Sequence, residues 1–139
     1  MRGTLTRGGA PVLLLGSLVL SGCTEHVKER CSGSGGEMSC TVTYKTSDGQ
    51  WGTDLKGKRY DSILTLNGTF TVESGSGTLR IQGDDETYEY PLSAEEPVAI
   101  EDLTLTMIRR GDDETLVGLA TLADPQLDGF SAQYTYVRE

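Results

Sequence analysis

From Met38 onward the chain alternates. "MSCTVTYK" sets Met38, Cys40, Val42 and Tyr44 against Ser39, Thr41, Thr43 and Lys45. A period of two is that of a strand with one face buried. The same pattern predicts further strands over 59–66, 69–73, 77–82, 86–92, 98–110, 115–123 and 130–138. Turn-forming clusters separate them: "NGT", "SGSG", "GDDE", "SAEEP" and "DPQLDG". No window carries a sustained helical period with caps. Thr, Val and Tyr, which suit a pleated, half-buried surface, abound in the proposed strands. The fold class expected is all-β, an antiparallel meander of about eight strands. It would either close into a small barrel, which removes unpaired edges, or pack as a two-sheet sandwich.

The segment "GDDET" occurs twice, at Gly83–Thr87 and Gly111–Thr115. Calcium loops place carboxylates at alternating positions, with a glycine and a distal glutamate. Adjacent acids do not fit that frame, so no metal site is expected. A hairpin fits better. If Gly83–Glu86 is the loop, Gln82 faces Thr87, Ile81 faces Tyr88, Arg80 faces Glu89 and Leu79 faces Tyr90. Apolar then meets apolar, and opposite charges meet on the other face. The same rule applied to Gly111–Glu114 sets Arg109 against Leu116, Met107 against Gly118, Leu105 against Ala120 and Leu103 against Leu122. One irregularity stands out. Val98 and Ile100 share a parity that Leu103 and Leu105 lack, which a bulge near Glu101–Asp102 or a strand starting only at Leu103 would reconcile.

The start of the chain is of a different kind. Arg2 and Arg7 precede an apolar run, Pro11 to Leu20, and then come Ser21, Gly22 and Cys23. The run is too short to span a bilayer, which takes about 20 residues, but has the length of a signal-peptide core. Its ending, "LSGC" at Leu20–Cys23, resembles the bacterial lipobox, in which a branched apolar residue and two small residues precede the cysteine. The resemblance implies a lipoprotein. Its signal peptide is 1–22, and the Cys23 thiol carries a diacylglyceryl group with palmitate-like chains. The Cys23 amine is open to further acylation after cleavage. Each buried methylene contributes about 0.8 kcal/mol, so two or three chains hold firmly. The expected plan is a signal peptide over 1–22, a lipidated N-terminus and flexible tether over 23–37, and a single β domain over 38–139. The location expected is the bacterial cell membrane or outer membrane, after export.

The formal charge is −9, and processing at Cys23 removes two positive charges more. That sign excludes a nucleic-acid partner, which demands clustered Lys and Arg. It permits a basic protein. Cys31 and Cys40 remain as an even pair in an oxidising compartment and read as a disulfide. In the chain-entropy model such a link contributes roughly 2–3 kcal/mol. The sole histidine, His26, falls in the expected tether, so neither a zinc site nor a Ser-His-Asp triad can be assembled around it. No nucleophile elbow, metalloprotease motif or phosphate loop is present. Neither an enzyme activity nor a cofactor is expected.

Gly49-Gln50-Trp51 resembles the Gly-x-Trp signature of lipocalins, and "LTLNGTFTV" is similar to a hairpin of lipocalin-like domains. The resemblance implies a barrel with Trp51 closing one end. Tyrosine forms the other pattern. Tyr44, Tyr88, Tyr90, Tyr134 and Tyr136 all fall on proposed inward positions. A buried phenol must satisfy its hydroxyl, so these rings either fill a core or line a cavity or groove. Tyr88, Tyr90, Tyr134, Tyr136 and Trp51 are the candidate ligand-binding residues. The functional expectation is a membrane-anchored, exported lipoprotein with a non-enzymatic binding domain for a small ligand or a basic protein. The alternatives are an inhibitor of a basic cell-wall hydrolase and a structural envelope or assembly subunit. The inhibitor reading draws on a likeness in charge and size to membrane-bound lysozyme inhibitors, whose late cysteine this chain lacks.

Overall fold

The computed structural model describes residues 23–139. The expected signal peptide lies outside the described residues. Ten strands and no helix are found among the described residues: β1 Thr24–Glu25, β2 Lys28–Ser34, β3 Glu37–Ser47, β4 Gln50–Gly57, β5 Ile63–Thr71, β6 Ser74–Gln82, β7 Thr87–Ser93, β8 Val98–Thr106, β9 Ile108–Arg110 and β10 Glu114–Arg138. All pairings are antiparallel. Burial follows the period of two along β3, where Cys40, Val42 and Tyr44 are buried and Ser39, Thr41, Thr43 and Lys45 exposed.

β10 organises the molecule. Its first part pairs with β4 on one side and with β6 and β9 on the other, as in Val117 with Leu55 and Leu119 with Ile81. Its last part runs between β3 and β5, with Tyr134 between Cys40 and Gly68. The register shifts between Ala123 and Leu127, where Pro125 has no N–H for the ladder. β3–β4 and β5–β6 turn the same corner, at Asp48–Gly49 and Val72–Glu73. The result is one sheet folded into two leaves. The first holds β2, β3, the end of β10, β5 and β8; the second holds β4, the start of β10, β6 and β7. The inner faces meet where Tyr44 Oη and Thr121 Oγ1 share a hydrogen bond of 2.9 Å. The sheet does not close into a barrel, so the barrel that Gly-x-Trp implied is replaced by two leaves.

The meander is corrected too. The last strand lies in the middle. Leu119, Thr121, Leu127, Phe130, Ala132, Tyr134 and Tyr136 are all buried, and only a central position covers a strand so apolar along both edges. The segments expected at 115–123 and 130–138 are therefore one strand. The expected 98–110 strand is divided at Met107, whose N–H donates to Ser62 O at 2.8 Å. "NGT" is not a turn but the interior of β5. Gly68 lies against Tyr134, and a side chain there would put its Cβ 2.6 Å from that of the tyrosine.

The first hairpin has the expected register, Ile81 with Tyr88, Leu79 with Tyr90 and Arg80 with Glu89. The second does not. Arg110 faces Glu114 and Arg109 faces Thr115, one residue out of the expected register, and the pairing ends at Ile108 with Leu116. β5 has taken β8, Leu64 facing Leu105, so little remains to face β10. The bulge, one of the two ways to reconcile the parity, is present at Glu101–Asp102. Leu66 faces Leu103 and Gly68 faces Ile100, so Glu101 and Asp102 together oppose Asn67, whose Oδ1 accepts from Asp102 N at 2.8 Å.

The expected tether is also corrected. β2 pairs with β3 along its whole length, and Cys31 and Cys40 are direct partners joined by a disulfide. Residues exposed on both sides read as linker in sequence, yet backbone bonds and one covalent link suffice to hold an edge strand.

Candidate functional site

The inner face is filled. Tyr134 stacks on Phe70 and Tyr136, with centroids 6.0 and 6.3 Å apart. Trp51 packs against Tyr44 and Phe130 at 6.2 and 5.9 Å, and joins the leaves near the corner. Tyr88 and Tyr90 lie on β7 of the second leaf, half-buried at the rim of the same core. The five candidate residues are thus divided between a packed interior and its edge, and they do not enclose a cavity together. Burial pushes the Tyr134 phenol well above its ordinary pKa, and nearby Glu29 adds to the shift. Its hydroxyl is buried without a hydrogen-bond partner. Burial also raises the Tyr44 phenol, opposed by its bond to Thr121.

A recessed surface is on the outside of the first leaf. Two open grooves lie along it. One, of about 510 Å³, is lined by Arg30, Ser39, Thr41, Asn67, Gln133 and Thr135 among others. The other, of about 720 Å³, is lined by His26, Lys28, Thr43, Lys45, Glu73 and Ser131 among others. Strand register makes them continuous. Lys28, Thr43 and Ser131 form one row across the leaf, then Arg30, Thr41 and Gln133, then Ser32, Ser39 and Thr135. The floor along these rows is hydroxyl and amide, with three cations on one margin and the carboxylates of Glu73 and Asp128 in the second groove. Among the described residues Lys56, Arg80 and Arg110 are in ion pairs, whereas Lys28, Arg30 and Lys45 are in none. Sequence reasoning missed this surface because Lys28 and Arg30 were read as tether.

Cys23 is exposed, and its thiol is free. Its N–H donates to Asp48 Oδ1 at 2.7 Å and its carbonyl accepts from Asp48 N at 3.2 Å. Thr24, the next residue, pairs with Ser47.

No protein-family model matches the chain, and no curated protein matches it. Among solved structures it is similar to the capsular polysaccharide assembling protein CapF from Staphylococcus aureus, with 13% identity, a TM-score of 0.38, and coverage of 78% of this chain and 28% of that one. It is similar also to CapF with the inhibitor 3-isopropenyl-tropolone, with 15% identity, a TM-score of 0.36, and coverage of 78% and 30%. The chain spans less than a third of the CapF chains it matches. At this distance the likeness says nothing of activity or ligand.

The chemistry available on the outer leaf is recognition by hydrogen bonds and charge. Hydroxyls there can both donate and accept, Gln133 and Asn67 do both through their amides, and the cations donate only. A ligand matched to that set is polar, extended and in part anionic.

Proposed function

We propose that the chain is a lipid-anchored, non-catalytic binding protein of the bacterial cell envelope. Its binding surface is the outer face of the first leaf, and its ligand is a hydroxyl-rich polymer bearing acidic groups. The observation that carries the binding reading is the row of Ser, Thr and Gln beside Lys28, Arg30 and Lys45, against an inner face filled with side chains. The anchoring rests on "LSGC" at Leu20–Cys23 and on the exposed thiol.

Two measurements test it. Labelled palmitate should enter the wild type and not Cys23→Ser, and equal labelling of both overturns the anchor. Immobilised polygalacturonate, an acidic polysaccharide probe, should retain the protein at low salt and release it as salt rises. Replacing Lys28, Arg30 and Lys45 together by Ser should abolish retention. Binding that survives the triple change, or no binding by the wild type, overturns the surface.

A second reading has one observation behind it. Between Ile81 and Ile108 lie Asp84, Asp85, Glu86, Glu89, Glu95, Glu96, Glu101 and Asp102, with no Lys or Arg. They follow β7 and β8, the edge strands of the two leaves, on the side away from β2. That edge suits a basic protein by charge, as an inhibitor of a basic hydrolase requires. Inhibition of a basic muramidase by the purified protein would favour this reading over the first.

A further inference from the structure

We infer that the corner of the folded sheet is the membrane-facing end of the molecule, seated on the headgroup layer rather than held off it on a leash. The inference rests on the proposed acylation of Cys23 and concerns what that anchor does to the domain. A lipoprotein with a flexible linker lets its domain tumble away from the bilayer. Here no linker separates Cys23 from the fold. Thr24 is already paired with Ser47, and Thr24 Oγ1 and Ser47 Oγ share a hydrogen bond of 2.8 Å. Cys23 itself exchanges two hydrogen bonds with Asp48. The α-nitrogen of Cys23 keeps an N–H as amine or as amide, so acylation does not remove the donor. Asp48 lies in the β3–β4 turn, and the neighbouring Gly49 O accepts from Ala123 N at 2.8 Å. The anchor is therefore fixed to the bend in β10.

A second observation points the same way. Two large hydrophobic side chains are exposed among the described residues, Val27 at 40% and Tyr60 at 82%. Val27 follows Cys23 by one short turn, where His26 has a φ of 58°. It stands on the surface between the anchor and Lys28, which pairs with Thr43, and an apolar side chain there can enter the headgroup boundary. Tyr60 is at the other end, in the Lys58–Asp61 turn next to Ser62, whose N–H donates to Glu139 O. With the corner down, the grooved outer leaf stands upright from the bilayer. Its Lys28 end is low and its Ser32 end high, open to a ligand arriving from the side.

The test uses the full lipidated chain in phosphatidylcholine liposomes containing a headgroup-nitroxide phosphatidylcholine. Val27→Cys and Tyr60→Cys each add one free thiol for a fluorophore, since Cys23 is acylated and Cys31 is bonded to Cys40. Flotation with the vesicles reports the anchor. The ratio of quenching at the two sites reports the seat. The expected result is flotation with quenching several-fold stronger at 27 than at 60. Adding Asp48→Ala, which removes the carboxylate that holds Cys23, should lower that ratio while flotation persists. Flotation with equal quenching at both sites overturns the seat and leaves the anchor standing. Failure to float overturns the anchor, and the seat with it.

Discussion

In the first copy of Gly-Asp-Asp-Glu-Thr, Gly83 is buried and Glu86 turns inward, its Oε1 accepting from Thr106 N at 2.7 Å. In the second, Gly111 stands in open space with a φ of 72°, and Glu114 faces Arg110 and Lys56. The threonines differ as well. Thr87 is exposed, whereas Thr115 is buried and donates to Lys58 O at 3.1 Å. The same five residues thus exchange the buried and exposed roles. What decides is the neighbour beyond the loop. The end of β8 roofs the first copy, with Asp84 N donating to Thr106 O at 2.8 Å. At the second, the loop is left open and the strand after it packs against the end of β4 and the turn that follows. A turn sequence permits a loop; the tertiary surroundings choose its register and its strain.

The glycines should show the largest difference. A Cβ at Gly83 would lie 2.8 Å from both Thr106 O and Glu86 Oε1, so Gly83→Ala should cost about 2–3 kcal/mol, as overpacking does. At Gly111 nothing is within reach, and the cost of Gly111→Ala is that of the left-handed backbone, about 1 kcal/mol. Asparagine sharpens the contrast, because it enters that region readily. Gly111→Asn should recover most of the loss, and Gly83→Asn should be worse than Gly83→Ala. Denaturant unfolding measures all four, and equal losses at the two sites would break the comparison.

The threonines come next. Thr115→Val keeps the shape and removes a buried hydroxyl that makes a hydrogen bond, a loss of about 1 kcal/mol. Thr87→Val, on an exposed position, should fall within about 0.5 kcal/mol of the wild type. Matching unfolding curves for the two variants would mean that Lys58 O draws nothing from Thr115.

The same contrast marks what was legible in the sequence. Parity alone placed the inward faces of β3, β6 and β7 and the register of the first hairpin, because each depends on residues close in the chain, and it offered a bulge near Glu101–Asp102 as one of two ways to reconcile Ile100 with Leu103. Cysteine arithmetic found the Cys31–Cys40 link. The partner of β8 was out of reach, since Leu105 suits Leu64 and Ala120 equally by side chain, and the pairing was decided by which strand closed the first leaf. Glycine misled at Gly68, where a missing side chain admits the Tyr134 ring and signals no turn. The inward tyrosines were legible, but whether they enclose space depends on the distance between leaves, which no local period encodes. The outer groove was hidden for a different reason. A polar parity reads the same on a solvent face and on a ligand face, and Lys28 and Arg30 had no parity to share until β2 was known to be a strand.

The glutamates give the smallest and most diagnostic difference. In Glu86→Gln the amide oxygen can still accept from Thr106 N, so stability at neutral pH should stay near that of the wild type at low and at high salt. Glu114 is another matter. Its Oε1 accepts from Arg110 Nε at 3.0 Å and its Oε2 lies 3.3 Å from Lys56 Nζ. Chiefly through the hydrogen bond from Arg110, then that from Lys56, its carboxyl is held below the usual glutamate range. A carboxylate whose folded pKa is depressed binds fewer protons folded than unfolded. Its stabilising share is complete above the unfolded pKa and is lost as pH falls through the folded one. Glu114→Gln should therefore be less stable than the wild type at neutral pH and converge with it in acid. The gap should also narrow in high salt, because exposed pairs are screened. Unfolding of both variants across the acid range, at low and high salt, reads this directly. A gap at Glu114 that ignores both pH and salt would show that the two cations do not act on it by charge. A salt-dependent gap at Glu86 would show that its role, too, is electrostatic, and the two copies would then differ in shape alone.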